Sequence, residues 1–148
     1  MLTSDLARSI IDYTLAAAVR EEVPPLGVVV LDASGHMIAA QRQDGASMFR
    51  LDVATGKAWG AVAMGVSSRA LFERARDNPN FFIALAATAH GRLLAQPGAA
   101  VVRDEHGRLL GAVGASGGTG DQDEACCVAG IVAAGLVSDP GTDLTPAH

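Results

Sequence analysis

The sequence is short of aromatic residues, of basic charge and of long apolar runs, and each shortage excludes a class of protein. Aromatic residues make up 4% of the chain although 49% is hydrophobic and Gly occurs 17 times, which favours a core of small, closely packed side chains. The net charge of −5, with no basic cluster, argues against nucleic acid or an anionic membrane as a partner. No apolar run approaches the roughly 20 residues of a membrane-spanning helix, and the first residues lack the pattern of a secretory signal. We therefore expect a soluble, cytoplasmic protein.

Cysteine is scarce as well. Cys126 and Cys127 are adjacent, and neighbouring side chains on a helix diverge by about 100 degrees, so the two cannot form a framework disulfide. We expect both to be buried as small hydrophobic residues in a reducing compartment, while a vicinal disulfide or an activated thiolate stays open as an alternative. None of the histidines has the spacing of a zinc site, so no structural metal is expected, although His36 or His106 is available as a single haem ligand. The four histidines are His36, His90, His106 and His148.

Two similar hairpins dominate the strand pattern of what should be one domain of 148 residues. The first runs from Leu26 to Arg42 and the second from Ala100 to Ala115, each with an acidic, glycine-containing turn. Helical periodicity precedes, separates and follows them. The expected fold is therefore α+β, an antiparallel sheet of four or five strands packed with helices, with Arg92–Gln96 as the candidate fifth strand.

The helix predicted over Met48–Met64 contains Gly56 and Gly60, each of which weakens a helix by about 1 kcal/mol relative to Ala. Close packing against a neighbouring backbone is the expected reason for them. The domain should span residues 1–137, and the composition of residues 138–148 is typical of a flexible tail.

A glycine loop between the last strand of the second hairpin and the last helix is the first candidate for function. Glycine allows a close backbone approach, and the first amides of a helix have no internal partner, so such a loop can hold an anion or a carboxylate. No Lys follows the glycines in the Walker pattern, which excludes a nucleotide site. The candidate ligand-binding residues of the loop are Ser116, Gly117, Gly118 and Thr119.

The last helix opens on Asp121, Asp123 and Glu124, which fit two roles. They can simply complement the helix dipole, with Thr119 or Asp121 as N-cap. Alternatively, Glu124 contacts ligand and Asp123 supplies a base, because a carboxylate desolvated in an apolar pocket has a raised pKa and can exchange protons.

Arg42, Asp44 and Lys57 form the second candidate group. If the sheet brings them beside the glycine loop, the two cations can bind a carboxylate or a haem propionate, and Asp44 can orient Arg42 or move a proton. The alternative is a surface Arg42–Asp44 ion pair with Lys57 as a solvated helix residue.

Two segments together resemble the GlcG/HbpS family, which includes the C-terminal domain of PduO-type proteins. The first comprises Arg42–Ala46 (RQDGA) and Ala54–Ala58 (ATGKA), and the second comprises Gly111–Gly118 (GAVGASGG) and Asp123–Ala125 (DEA). The resemblance implies a profilin-like or PAS-like domain that assembles into dimers, tetramers or octamers. It also implies haem or corrinoid binding, links to organic-acid catabolism, or small-molecule turnover without a metal. Where the family often has paired glycines and a proline before the third strand, this chain has Gln96–Ala100 (QPGAA).

Two functions follow as hypotheses. The first is a small-molecule binding protein that holds haem, a corrinoid or an organic acid between the glycine loop and the two cations Arg42 and Lys57. The second is a cofactor-independent enzyme, a tautomerase or a hydrolase of a small oxo-acid or lactone, in which Asp123 or Asp44 moves the proton.

Overall fold

A computed structural model describes residues 1–141 of the chain, and in it the two hairpins form the centre of one antiparallel sheet. The strands are β1 (Gly27–Asp32), β2 (Met37–Arg42), β3 (Ala99–Arg103), β4 (Leu109–Ser116) and β5 (Val137–Asp139). They lie in the order β2-β1-β4-β3-β5, so β2 and β5 are the edges of the sheet. The predicted α+β fold with an antiparallel sheet is confirmed.

Helices cover both faces of the sheet because its central strands alternate apolar residues between two sides. The helices are α1 (Ser4–Arg20), α2 (Phe49–Met64), α3 (Ser68–Asp77), α4 (Pro79–Thr88) and α5 (Gly120–Ala133). Val28, Val30 and Val113 pack on one face against α1 and α5, whereas Val29 and Leu31 pack on the other against α2. Two further helices, α3 and α4, follow α2.

The two hairpins turn by the same local chemistry. The carboxylate of Asp32 accepts hydrogen bonds from the amides of Ser34 and His36. Asp104 accepts from the corresponding amides of His106 and Arg108. An aspartate that accepts from the backbone two residues ahead closes a turn without help from the rest of the fold, which is why such turns can be predicted from sequence.

Glycines allow α2 to pack unusually close to its neighbours. A Cβ on Gly56 would stand 3.0 Å from Leu94 Cβ, and one on Gly60 would stand 3.1 Å from Leu93 Cγ. The predicted close packing is therefore confirmed, although the nearest atoms belong to leucine side chains rather than to a neighbouring backbone. The same helix presses on the sheet at Gly114, where a Cβ would stand 2.2 Å from the carbonyl oxygen of Ala54.

The fifth strand differs from the prediction. Arg92–Gln96 packs beside α2 instead, with Leu93 in the core around α3 and α4 and the amide of Leu94 donating to the Gly56 carbonyl. The fifth strand is Val137–Asp139, which pairs with β3. Ser138 and Asp139, assigned from the sequence to the tail, thus belong to the sheet. The rest of the predicted tail, residues 142–148 with His148, lies outside the described residues.

Both cysteines are buried in α5, as expected for small hydrophobic residues. Burial raises the pKa of the Cys126 thiol to about 11 and also raises the pKa of Cys127. Since the thiolate is the reactive form, neither thiol is activated. We expect a thiol-specific disulfide reagent at pH 8 to label neither cysteine rapidly in the folded protein and both after unfolding in guanidinium. One fast-reacting thiol per folded chain would contradict this.

Candidate functional site

A groove at the start of α5 brings together residues from four parts of the chain. We call it the glycine-loop groove; its volume is ≈ 470 Å³, within the usual range for small-molecule sites. Its cationic wall comes from α2, its amide-rich wall from the loop before α5, and its rim from α3 and the segment before β3. The lining residues are Arg50, Val53, Lys57, Phe72, Gln96, Pro97, Ser116, Gly118, Thr119, Gly120, Asp121 and Asp123.

Lys57 and Asp123 form a buried ion pair in this groove. The Lys57 Nζ lies 3.3 Å from Asp123 Oδ2 and donates to the carbonyl oxygen of Ala115 at 3.0 Å. The other carboxylate oxygen of Asp123 accepts from the amide of Gly118 at 2.9 Å. The pair therefore ties α2, β4 and the glycine loop to one another, which makes Asp123 a positioning residue for the loop.

Burial raises the pKa of the Asp123 carboxyl, and the positive charge of Lys57 and the amide hydrogen bonds oppose that rise. Burial likewise raises the pKa of Glu124, opposed by Arg69. Both directions follow from the cost of removing a carboxylate from water. Of these two acids, only Asp123 lines the groove.

The first turn of α5 is closed by a capping box. The Thr119 hydroxyl accepts from the amide of Gln122, and the Gln122 side chain accepts from the amide of Thr119. Of the two caps considered from the sequence, Thr119 is the one in the structure. The amides of Gly120 and Asp121, two residues that line the groove, have no hydrogen-bond acceptor within residues 1–141.

Removing the cap should cost a measurable amount of stability. We expect Thr119→Ala to lower the free energy of unfolding by about 1 kcal/mol, the usual value for a lost N-cap. Denaturant unfolding followed by circular dichroism measures it. Thr88→Ala, which changes the same residue type at the exposed end of α4, is the control and should stay within about 0.5 kcal/mol of the parent. Equal losses in the two variants would show that the Thr119 hydroxyl is not a working cap.

Arg42 and Asp44 do not join this groove. Arg42 and Ser116 are the β2 and β4 partners of Gly27, so they lie at the same end of the sheet with one strand between them. The Arg42 guanidinium donates to the carbonyl oxygen of Ala46 at 2.6 Å, and Arg42 and Asp44 line a separate groove.

The physical reason is the close approach of α2 to Gly27. Because Gly27 has no side chain, the carbonyl carbon of Arg50 stands only 2.9 Å from the position that a Cβ would take there. Arg50, not Arg42, therefore supplies the second cation of the groove, and its Nη1 lies 3.4 Å from Ser116 Oγ.

The Glu124 carboxylate is paired with Arg69 rather than exposed in the groove. Both of its oxygens accept from Arg69 Nε, at 3.1 and 3.0 Å, and the Glu124 side chain is buried. Arg69 also contacts Asp121. This ion-pair cluster fastens α3 to the start of α5 and leaves Glu124 outside the lining of the groove.

Arg50 and Arg69 were not predicted as site residues. The sequence held a signal for Arg50, because it lies three residues before Val53 and seven before Lys57, and residues at these spacings share one face of a helix. The sequence held no such signal for Arg69, because it is 55 residues away from Glu124 in the chain.

Gly117 has a φ of +152, and a Cβ there would stand 2.2 Å from the Pro25 carbonyl oxygen, so this position requires glycine.

A comparison with protein families decides the relationship of the chain. The model of the family described as "Haem degrading protein HbpS-like" matches residues 2–132. The chain belongs to the HbpS-like family. The resemblance inferred from the motifs is thereby confirmed. A comparison with curated proteins gives no significant match.

Solved structures with a similar fold include other HbpS-like proteins. A PduOC:heme complex has 24% identity, covers 93% of this chain and 98% of its own, and superposes with a TM-score of 0.82. A double mutant of Streptomyces reticuli HbpS has 26% identity, coverage of 89% and 86%, and a TM-score of 0.77. The Klebsiella pneumoniae protein ORFY has 22% identity, coverage of 90% for both chains and a TM-score of 0.81.

The family name raises the question of whether the groove fits haem. Its Arg50 and Lys57 cations suit the propionates. Among the described residues that line it, however, none is a His, Cys, Met or Tyr, the usual axial ligands of haem iron. The described lining of the glycine-loop groove therefore does not offer an axial ligand to haem iron.

In this HbpS-like protein, His36 and Met37 line a groove other than the glycine-loop groove. Among the described residues, no cluster of three or more His, Cys, Asp or Glu side chains could hold a metal ion. Within the same part of the chain, no helix is long and apolar enough to cross a membrane.

Proposed function

We propose that the protein is a small-molecule binding protein that holds the carboxylate of an organic acid in the glycine-loop groove. The observation that carries this proposal is that Arg50, Ser116, Gly120 and Asp121 line one groove, and that the amides of Gly120 and Asp121 have no acceptor within residues 1–141. Gly118 lines the groove as well, whereas Gly117 packs against the Pro25 carbonyl oxygen. A carboxylate accepts several hydrogen bonds at once, so it matches a set made of donors.

Arg50 is the cation of the groove that has no anionic partner within the described residues. Lys57 is paired with Asp123, and Arg69 at the rim is shared by Asp121 and Glu124. Arg50 makes no salt bridge within residues 1–141 and only a long hydrogen bond to Ser116. Its charge is therefore available to an anionic ligand, and the positive end of α5 adds to it.

Calorimetric titration with acetate, pyruvate and succinate tests the proposal. We expect saturable binding of at least one of them, and we expect Arg50→Gln to weaken it by about 10- to 100-fold, because a charge-assisted hydrogen bond is worth about 1.5–3 kcal/mol. Arg42→Gln is the matched control, since Arg42 lies in a separate groove. If both substitutions weaken binding equally, Arg42 belongs to the site and the assignment of Arg50 as its specific cation is refuted.

Haem and corrinoids are further candidate ligands because the structure of a PduOC:heme complex shares this fold. Haemin as a competitor in the same titration distinguishes the possibilities. If its propionates use Arg50, haemin displaces succinate from the parent protein and competes more weakly in Arg50→Gln. If haemin binds without displacing succinate, it occupies another part of the surface.

A second candidate function is proton transfer on a bound oxo-acid or lactone without a metal. It is favoured by the buried Asp123 carboxyl, whose pKa is raised by burial at the wall of the same groove. Incubation of 2-oxo acids and lactones in D₂O, followed by proton NMR, measures exchange and hydrolysis. Lys57→Ala should slow both if Lys57 anchors the substrate, whereas equal rates for the two proteins would remove this candidate.

We also propose self-association, as a dimer, tetramer or octamer. Large apolar side chains are exposed in the single chain, among them Phe49 at 64%, Phe81 at 51% and Ile83 at 70%. Exposed apolar side chains of this size favour burial against another copy. Light scattering coupled to size exclusion should give a mass of at least two chains, and a mass of 15.1 kDa at micromolar concentration would contradict the proposal.

A further inference from the structure

A second groove lies on the other side of α2, between that helix and the turn of the first hairpin. We call it the hairpin groove; its volume is ≈ 590 Å³. Its walls include Gly35 and His36 from the turn, Met37 from the start of β2, Trp59 from α2 and Arg92 from the segment after α4. None of these residues takes part in the glycine-loop groove.

The indole of Trp59 provides a fixed aromatic surface in the hairpin groove. Trp59 is half-buried and packs against both the core under α2 and the core around α3 and α4. Gly35, at a φ of +82, brings the hairpin turn close, since a Cβ there would stand 3.3 Å from Trp59 Nε1. A ring held from two sides loses little freedom when a ligand packs on it, and flat aromatic molecules are the ligands that such a ring recognises.

Arg92 adds a cation beside the ring. Its guanidinium carbon lies 4.6 Å from the centroid of the Trp59 ring, and its Nε donates to the carbonyl oxygen of Ala89 at 2.8 Å. These contacts hold the guanidinium in place, yet it makes no salt bridge within residues 1–141, not even with Asp52, which also lines the groove. A fixed cation without a carboxylate partner is suited to an anionic group on the ligand.

The turn side of the groove supplies soft and aromatic contacts. Met37 is 55% exposed although it is apolar, and His36 beside it is exposed as well. Thioether sulfur packs favourably at the edge of aromatic rings. The exposure of Met37 is therefore explained if a ring covers it.

We propose that the hairpin groove is a separate binding site for a flat aromatic molecule that carries an anionic group. The ligand ring packs on the stack that Arg92 forms with Trp59, with Met37 at its edge, and the anion pairs with Arg92. The site is independent of the carboxylate bound beside Arg50, because Arg50 and Lys57 line one groove from α2 while Asp52 and Trp59 line the other.

The single Trp of the chain makes the test direct. In a ¹H–¹⁵N spectrum, Trp59 gives the only indole N–H signal, so its shift reports on the hairpin groove alone. The probe is 2-naphthoate, and cyclohexanecarboxylate is the matched non-aromatic control. We expect 2-naphthoate to shift the indole signal saturably, Arg92→Gln to weaken the binding about tenfold, and Arg50→Gln to leave it unchanged.

Cyclohexanecarboxylate should not move the indole signal appreciably at concentrations that saturate with 2-naphthoate. The proposal is overturned if 2-naphthoate leaves the signal unmoved, if both compounds shift it alike, or if Arg92→Gln binds as tightly as the parent. Met37→Ser guards against misfolding of the Arg92 variant, since an exposed side chain can be replaced without loss of the fold. It should weaken 2-naphthoate binding about threefold, and unchanged binding would also contradict the proposal.

Discussion

Asp123→Asn should lower the free energy of unfolding by about 3–5 kcal/mol, because it leaves Lys57 buried without an anion. The Lys57 Nζ would keep its bond to the Ala115 carbonyl, but its counter-charge at 3.3 Å would be gone. For a chain of this size the loss corresponds to a fall of about 6–20 °C in the thermal midpoint. Thermal unfolding followed by circular dichroism measures it.

Two variants separate the buried pair from a general effect of charge. Asp121→Asn removes a carboxylate that is 82% exposed and should cost no more than about 1 kcal/mol, as expected for a surface ion pair. Lys57→Met combined with Asp123→Asn removes both charges and keeps an acceptor for the Gly118 amide, so the double variant should recover most of the lost stability. A loss for Asp123→Asn no larger than that for Asp121→Asn would show that the pair does not hold the loop to α2.

Gly114→Ala is the substitution with the second largest expected effect. The new methyl group would stand 2.2 Å from the Ala54 carbonyl oxygen and 3.0 Å from Ala58 Cβ. A backbone carbonyl within a helix cannot turn aside, so α2 must move off the sheet, and we expect a loss of about 3 kcal/mol, at the upper end of the range for overpacked cores. Because α2 carries Arg50 and Lys57, succinate binding should weaken in the same variant.

Gly65→Ala is the control for the loss of glycine itself. Gly65 has a φ of +69, and a Cβ there meets no atom within 4 Å. Its cost is that of left-handed backbone alone, about 1 kcal/mol. Urea unfolding of both variants measures the difference. If Gly114→Ala costs no more than Gly65→Ala, the contact between α2 and β4 is looser than the structure shows.

Features whose determinants are local could be predicted from the sequence. The turns at Asp32 and Asp104 each depend on one carboxylate and the amides just after it. The two hairpins and the antiparallel sheet could therefore be predicted. Lys57 and Ser116 do line one groove. This placement could be predicted because each residue belongs to a motif typical of the family, and it arises because α2 packs directly on β4. That they bind a ligand there stays a prediction.

Contacts that depend on packing between distant segments could not be predicted. Arg42 and Arg50 both lie near the end of the first hairpin, and only the close approach of α2 at Gly27 decides which one reaches Ser116. In the sequence Glu124 resembles a site residue, but in the structure its carboxylate is paired with Arg69. The strand β5, Val137–Asp139, is too short for any periodicity, and it forms because β3 offers it an open edge.

The most direct test of the carboxylate site is an amide NMR titration of the folded protein with succinate. The account predicts that the largest saturable shifts fall on the amides of Gly118, Gly120 and Asp121, with the same midpoint for all three, and that they shrink in Arg50→Gln. Shifts centred on residues 41–46, or none at saturation measured by calorimetry, would contradict it.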